Sequence, residues 1–137
     1  SCNGQLVITV SGVSNIISPN GAKHTYIWPS ISPNGKKVLY HVSGVGTFVC
    51  DLNGHNVKKI GLMRAPVWYD NNTIVGMMDK DDGYVITSSS IVAATLDGKY
   101  QTLTDGSMIS MYPYASSESK KIAFSTLDGE AYIINIK

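Results

Sequence analysis

Three histidines and one acidic run are the side chains of this chain that could carry out acid–base or metal chemistry. The histidines are His24, His41 and His55, and neither a His-Glu-x-x-His nor a Cys-x-x-Cys motif, both typical of zinc sites, accompanies them. We interpret His41 and His55 as ordinary core or surface residues. His24 lies in the polar stretch before Trp28 and is a candidate to face the central funnel of the fold.

The acidic run is Asp79-Lys80-Asp81-Asp82-Gly83, whose carboxylates alternate in the way that calcium loops require. The bidentate glutamate that completes such a loop does not follow, and the sequence returns at once to a strand pattern at Tyr84. We therefore predict a solvated hairpin tip at this run and no metal site.

Two further motifs of catalysis are missing or incomplete. No Gly-x-Ser-x-Gly nucleophile elbow occurs, and Ser43-Gly44-Val45-Gly46 lacks the lysine and the strand-to-helix context of a phosphate-binding loop. We read the latter segment as a hairpin. The sequence thus predicts a non-catalytic chain that needs no cofactor.

The two cysteines differ in setting. Cys50 lies in the middle of an apolar strand and is predicted to be a buried small hydrophobic residue. Cys2 has two alternatives: a disulfide bond with Cys50 in an oxidising compartment, or acylation, since Ser1-Cys2-Asn3-Gly4 resembles the end of a bacterial lipoprotein signal. Acylation would place the domain on a membrane surface by a lipid anchor.

Charge and hydropathy exclude two classes of partner. Eleven Lys and Arg residues oppose ten Asp and Glu residues, so the net charge is +1 and no basic patch predicts nucleic-acid binding. No apolar stretch approaches the roughly 20 residues of a membrane span. We expect neither nucleic acid nor a membrane span.

Turn signals dominate the sequence. Eight of the 13 glycines directly follow Asn or Asp, which is the strongest short-range signal for tight hairpin turns. Runs of β-branched and aromatic residues flank them, and no long stretch carries a helical apolar pattern. The chain is predicted to be all-β.

The strands recur as a unit of about 40 residues. The segment that starts at Pro29 aligns without a gap with the segment that starts at Pro113, and a segment one residue shorter starts at Pro66. A unit of four short antiparallel strands and this length is typical of a propeller blade. We assign three blades at residues 28–62, 63–105 and 106–137.

The repeat resembles the TolB-type β-propeller repeat, whose pattern is roughly W-S-P-D-G-K-x-I-A-F, an apolar strand, D-x-D-G and a closing L-T. Ile31-Ser-Pro-Asn-Gly-Lys-Lys-Val-Leu-Tyr40, Asp51-Leu-Asn-Gly54 and Leu103-Thr104 carry the likeness. Trp68 matches the tryptophan of the repeat, and we read it as blade core. The resemblance implies a WD-like propeller module of the bacterial periplasm or cell envelope.

Residues 1–27 have two readings. Gln5–Val10 is predicted to be a strand, which would either complete the outer position of the third blade or belong to the remnant of an earlier blade. Closed propellers generally have four to eight blades, so three blades form no ring alone. We expect a second copy in a homodimer, or flanking blades of a longer chain, to complete it.

Loops at one end of such blades predict a binding surface. Its candidate residues are polar, aromatic or Met side chains: His24, Tyr26, Met63, Arg64, Met108, Met111 and Tyr112. Met and aromatic side chains suit adaptable contacts with a protein or peptide partner. The leading hypothesis is a binding or scaffold module. The alternatives are an accessory propeller of a peptidase-type hydrolase and a carbohydrate-processing propeller resembling oligogalacturonate lyases.

Overall fold

A computed structural model describes residues 4–136, apart from the side chain of Asp81. Within these residues the chain forms strands and turns without an α-helix, so the all-β prediction is confirmed. The strands are β1 (Val7–Val10), β2 (Val13–Ile16), β3 (Tyr26–Ile31), β4 (Lys37–Val42), β5 (Gly46–Asp51), β6 (Lys58–Gly61), β7 (Arg64–Trp68), β8 (Thr73–Asp81), β9 (Ile86–Thr95), β10 (Tyr100–Thr102), β11 (Ser110–Ser116), β12 (Lys121–Thr126) and β13 (Ala131–Asn135).

The strands form four antiparallel sheets that follow the order of the chain. Sheet I is the hairpin β1–β2, sheet II is β3–β4–β5–β6, sheet III is β7–β8–β9–β10 and sheet IV is β11–β12–β13. Every connection within a sheet joins neighbouring strands through a short turn, and most of these turns contain a positive-φ glycine. The β7–β8 and β11–β12 turns contain no glycine.

The longest hairpin differs from its prediction. The acidic run from Asp79 to Gly83 was predicted to be a solvated hairpin tip, but β8 extends to Asp81 and pairs with β9 as far as the Asp81–Ile86 pair, across a register shift after Lys80, so the tip narrows to residues 82–85. The serines before Ile91 are polar, yet they satisfy their backbone groups in the ladder, since an antiparallel sheet tolerates one solvated face.

The N-terminal strand also differs from one of its two predicted roles. Val7–Val10 pairs with β2 and not with β13, so sheet IV has three strands among the described residues. Leu6, Ile8 and Ile17 pack against sheet II. Local pairing across Ser11-Gly12 requires no long-range closure, which favours it over a strand contribution to sheet IV.

Three apolar clusters fill the spaces between successive sheets. Alternating residues of β4 divide between them: Val38 and Tyr40 join the cluster beneath sheet I, whereas Leu39 joins the cluster between sheets II and III. A third cluster lies between sheets III and IV. Trp68 is buried in the second cluster, which confirms its interpretation as a core residue.

Candidate binding surface

One end of the sheets collects the loops that are best placed to contact a partner. In an antiparallel meander alternate connections lie at the same end, and here these are residues 43–45, 62–63, 82–85, 103–109 and 127–130. We call this end the loop face. Sheet topology alone therefore brings these segments of sheets II, III and IV to one side of the molecule.

The first strand of each larger sheet, which lies at one edge of that sheet, carries the same irregularity near the loop face. Trp28, Ala65 and Tyr112 adopt positive φ values of 52°, 48° and 50°, and a shift of the β register accompanies each of them. A proline follows all three residues. A residue with left-handed backbone, placed where one strand has an extra residue relative to its partner, forms a β-bulge. A bulge interrupts the regular alternation of side chains between the two faces of the sheet.

These bulges hold the backbone in a conformation that non-glycine residues rarely adopt. Each bulge costs about 1–3 kcal/mol and persists because the surrounding packing fixes it.

Two of the bulges contact neighbouring sheets. At the third bulge the Tyr112 N–H donates to the Sδ atom of Met77 at 3.3 Å. Trp28, although it belongs to sheet II, packs against the cluster between sheets III and IV. The three bulges therefore lie along one edge formed by β3, β7 and β11, which we call the bulge edge.

Arg64 occupies the centre of this edge. Its Nη1 atom lies 2.8 Å from Oδ2 of Asp79, and its guanidinium lies 5.6 Å from the ring centroid of Trp28. A guanidinium carries five N–H donors in a planar fork. Asp79 and the indole therefore hold the group in place while it retains donors for a partner.

A buried network of hydrogen bonds lies next to Trp28 and Arg64 at this edge. The imidazole Nδ1 of His41 lies 2.9 Å from Oγ1 of Thr47, and the Thr47 hydroxyl donates to the Met63 carbonyl at 2.6 Å. The Trp28 ring meets the His41 ring edge-on at 5.3 Å. Burial, and then the charge of Arg64, lower the pKa of His41, so the imidazole is neutral near pH 7.

Two buried oxygen atoms near the loop-face ends of the strands lack a hydrogen-bond partner among the described residues. They are Oδ1 of Asp79 and Oγ of Ser110, at the start of β11. The side chain of Asp79 is only 4% exposed. Unsatisfied buried acceptors are uncommon in native proteins, and a bound donor group or water would relieve them.

Two depressions open on the loop face. The first has a volume of about 390 Å³ and is lined by Ile27, His41, Ser43, Gly44, Val45, Gly46, Leu62 and Arg64. The second measures about 530 Å³ and is lined by Ser107, Met108, Ile109, Thr126, Leu127, Asp128 and Tyr132. Arg64 supplies the charge in the first. Both combine apolar walls with a few polar groups, as ligand sites commonly do.

The residues predicted to contact a partner divide into two groups. Arg64, Met108 and Tyr112 lie at the surface of the loop face or its edge, and Tyr112 is 54% exposed. His24 is exposed in the turn before β3. The structure thus places Arg64, Met108 and Tyr112 with the loops that the topology brings together.

Three predicted contact residues are buried instead. Met63 is fully buried between sheets II and III, and Met111 is buried between sheets III and IV. Tyr26 packs beneath sheet I, where its hydroxyl accepts from the Asn20 N–H at 2.7 Å and donates to the Gly21 carbonyl. These side chains stabilise the interior and present no surface to a partner.

Trp28, Leu62 and Asp79 lie at this edge or line the adjoining depression, but they were not singled out among its candidate residues. The sequence does contain a signal for the first: Trp28-Pro29, Ala65-Pro66 and Tyr112-Pro113 occupy equivalent positions in the three repeats. A recurring proline at one strand position indicates a bulge, since proline donates no ladder hydrogen bond. Asp79 was noted in the sequence only as part of the acidic run, and its contact with Arg64 places it at this edge.

Cys50 is a buried free thiol, and burial raises its pKa to about 11. It is inert in this state, since the thiolate is the reactive form of cysteine. Cys2 lies outside the described residues, as does any lipid assigned to it. The thiol of Cys50 is free in this structure, so the alternative of a disulfide bond between Cys50 and Cys2 is not seen.

Within residues 4–136, the side chain of Asp81 apart, no group of three or more His, Cys, Asp and Glu side chains could hold a metal ion. The same residues contain no helix that is long and apolar enough to cross a membrane. Comparison with protein-family models and with curated proteins gave no match for this chain.

Proposed function

We propose that this chain is a non-catalytic binding module built of propeller blades similar to the TolB-type repeat. Its inner bulge edge, formed by Trp28, Arg64 and Tyr112, would bind a protein or peptide partner. The repeated proline bulge is the observation that supports the proposal. Conformational strain of about 1–3 kcal/mol at three equivalent positions favours a functional role over chance.

The blade interpretation is supported by equivalent contacts in successive sheets. Ile31 pairs with Val38, Trp68 pairs with Ile74, and Ala115 pairs with Ile122, each directly after a proline bulge. Sheets II, III and IV also contact one another in chain order, mainly through the first strand of the following sheet, β7 or β11, which packs against several strands of the preceding sheet. Such nearest-neighbour packing of repeated meanders is what a propeller requires.

The chemistry of the edge suits a peptide. The Trp28 and Tyr112 rings offer apolar area with little rotamer entropy to lose, and Arg64 offers N–H donors for a carbonyl or carboxylate. Leu62, which is 62% exposed, adds an apolar contact at the neighbouring depression. Aromatic and arginine side chains are enriched where protein partners bind most tightly.

The cell-envelope location and the lipid anchor at Cys2 stay part of the proposal. Both rest on the likeness of the repeat and on Ser1-Cys2-Asn3-Gly4. Mass spectrometry of the chain purified from a bacterial envelope would test them, with a Cys2→Ser variant as the control. Detection of an unmodified Cys2 thiol would remove the anchor from the proposal.

A matched pair of tyrosine variants tests the binding edge. Peptides selected from a random display library would be measured against Tyr112→Asn and Tyr114→Asn. Asparagine tolerates the left-handed backbone at residue 112, and Tyr114 is a more exposed tyrosine of the same strand, at 76%. We expect at least tenfold weaker binding for Tyr112→Asn and less than a twofold change for Tyr114→Asn. Equal effects, or a library without binders, would overturn the proposal.

A further inference from the structure

The hydrogen bonds around His41 fix which of its two ring nitrogens carries a proton. The Thr47 hydroxyl has one hydrogen, and it donates that hydrogen to the Met63 carbonyl at 2.6 Å. Its oxygen therefore accepts from Nδ1 of His41, which lies 2.9 Å away. A neutral imidazole has one N–H group and one acceptor nitrogen. The network thus assigns the proton to Nδ1 and leaves Nε2 as the acceptor.

The imidazole is held in this orientation while its Nε2 atom stays without a partner. Thr47 and His41 are buried, and the Trp28 ring meets the imidazole edge-on at 5.3 Å. Burial, and then the charge of Arg64, lower the pKa of His41, so the ring is neutral near pH 7. Within the described residues no group hydrogen-bonds to Nε2, and this atom is not among the buried unpartnered ones, so its lone pair is accessible.

His41 shares a depression of about 390 Å³ with Arg64. The guanidinium uses one nitrogen, Nη1, to bind Asp79 at 2.8 Å, and it has five N–H donors in all. It lies 5.6 Å from the centroid of the Trp28 ring, the same ring that contacts the imidazole. The depression therefore presents one acceptor and several donors, on two side chains that contact a common indole.

The charges at this depression cancel near pH 7. Arg64 is paired with the buried carboxylate of Asp79, and the imidazole of His41 is neutral. The remaining lining residues are uncharged: Ile27, Ser43, Gly44, Val45, Gly46 and Leu62. A carboxylate in the depression would face the lone pair of Nε2, and an ammonium group would face the guanidinium. A neutral group that both donates and accepts avoids the two conflicts, and a primary carboxamide has N–H donors and a carbonyl acceptor on separate atoms.

We propose that the depression binds the carboxamide side chain of a glutamine in the peptide partner, whose NH₂ group donates to Nε2 of His41 and whose carbonyl accepts from Arg64. The apolar walls formed by Ile27, Val45 and Leu62 suit the methylene groups of that side chain. This inference rests on the proposed function, since the depression adjoins the bulge edge at Arg64. It adds the residue type that the partner presents there.

Three capped amino acids of similar size test the site without knowledge of the natural partner. They are acetyl-glutamine methylamide, acetyl-glutamate methylamide and acetyl-methionine methylamide. The caps are identical, so a difference in affinity reports the side chain alone. Binding at pH 7.5 would be followed by NMR, through the ring signals of His41 and the methyl signals of Val45 and Leu62.

We expect the glutamine probe to shift these signals and the other two probes to bind at least fivefold more weakly, because each leaves Nε2 without a donor. Long-range ¹H–¹⁵N spectra of the imidazole should show the proton on Nδ1, and the glutamine probe should shift the Nε2 resonance. Equal affinity of the three probes, absence of shifts, or a proton on Nε2 of the free protein would each overturn the proposal.

Variants of His41 give an independent control. The amide of His41→Asn can donate to Thr47 in place of Nδ1, but it has no atom at the position of Nε2. The preference for the glutamine probe over the glutamate probe should therefore fall below twofold. His41→Phe keeps the ring shape and serves if the first variant fails to fold. His55→Asn, at an exposed histidine of the β5–β6 turn, should keep the preference. An unchanged preference in the His41 variants would contradict the site.

The capped probes and the display library separate this site from the bulge edge. If the probes show the expected preference while Tyr112→Asn binds library peptides as well as the wild type does, the depression is supported and the bulge edge is wrong. If library peptides depend on Tyr112 while the probes show no preference, the bulge edge is supported and the glutamine site is wrong.

Discussion

Arg64 and Asp79 form an ion pair whose two partners have very different exposure. Nη1 of Arg64 lies 2.8 Å from Oδ2 of Asp79, and the side chains are 47% and 4% exposed respectively. The second oxygen of Asp79 has no hydrogen-bond partner within the described residues. The surface guanidinium thus compensates a buried carboxylate and is held by it in a fixed position at the bulge edge.

Removing Arg64 should therefore destabilise the fold more than an exposed charge normally would. We expect Arg64→Met to lower the free energy of unfolding by about 1–3 kcal/mol, since a buried charged acceptor loses its partner. Lys80→Met, at a neighbouring exposed cation, is the control and should change it by less than about 0.5 kcal/mol. Urea unfolding measures both.

A double variant separates the ion pair from the packing of Arg64. Arg64→Met combined with Asp79→Met removes the uncompensated carboxylate, so it should be more stable than Arg64→Met alone. A double variant that is less stable by the sum of the two single losses would contradict this role of Arg64.

Stability should depend on the protonation of His41. Burial and the Arg64 charge lower the pKa of His41 below the value of 6.5 of an unperturbed histidine. The folded protein then favours the neutral imidazole, so the stabilisation is complete above pH 6.5 and is lost as the pH falls below it. The loss is at most about 1.4 kcal/mol for each pH unit.

Urea unfolding at pH 7.5 and pH 5.5 measures this effect. His41→Asn should reduce the difference in free energy of unfolding between the two pH values, whereas His24→Asn, at an exposed histidine, should leave it as in the wild type. If both variants behave alike, the titration of His41 does not contribute to stability.

Two glycines of one hairpin should respond differently to alanine. A Cβ atom on Gly46, where φ is 150°, would lie 2.7 Å from the carbonyl oxygen of Gly61, whereas a Cβ atom on Gly44 would meet nothing within 4 Å. Gly44→Ala should cost about 1 kcal/mol from its positive φ alone. Gly46→Ala adds a clash with backbone and should cost at least about 2 kcal/mol.

Thermal and urea unfolding of the two alanine variants measure this difference. Equal losses of stability would show that β5 and β6 can separate at Gly46 without cost, contrary to the close approach of their backbones.

Both ends of the stack of sheets expose apolar side chains, which predicts association of the isolated chain. Val10, Val13 and Ile16 are 61–62% exposed on sheet I, and Tyr114 and Ile133 are 76% and 63% exposed on sheet IV. Exposed apolar area costs about 25 cal/mol per Å². Light scattering should show a dimer or larger species, and a clean monomer at high concentration would contradict this prediction.

Sequence patterns predicted the strands well because their signals are local. Asn-Gly and Asp-Gly dipeptides mark most hairpins, and the residues between them alternate or run apolar. The burial of Met63 could not be predicted in this way. A Cβ atom on Gly76 would lie 2.8 Å from Sδ of Met63, so the methionine fills space that a distant glycine leaves open.

The bulge edge also depends partly on local sequence and partly on contacts with distant residues. The proline repeats are visible in the sequence, but the left-handed backbone of Trp28 depends on packing against sheets III and IV. The pairing of β1 with β2 was missed for the opposite reason. The sequence analysis left open a long-range role for Gln5–Val10 and a place in the remnant of an earlier blade, and it did not identify the short-range hairpin at Ser11-Gly12.

The central claim is that the proline bulges create one binding edge, and NMR mapping of a library-selected peptide tests it most directly. We expect the largest shift changes at the Trp28 indole N–H, the Arg64 guanidinium and the Tyr112 amide. The exposed hairpin tip at Tyr84, which is 94% exposed, should not respond. Shift changes confined to Tyr84 or to the outer face of sheet IV, with Trp28 and Tyr112 unaffected, would contradict the claim.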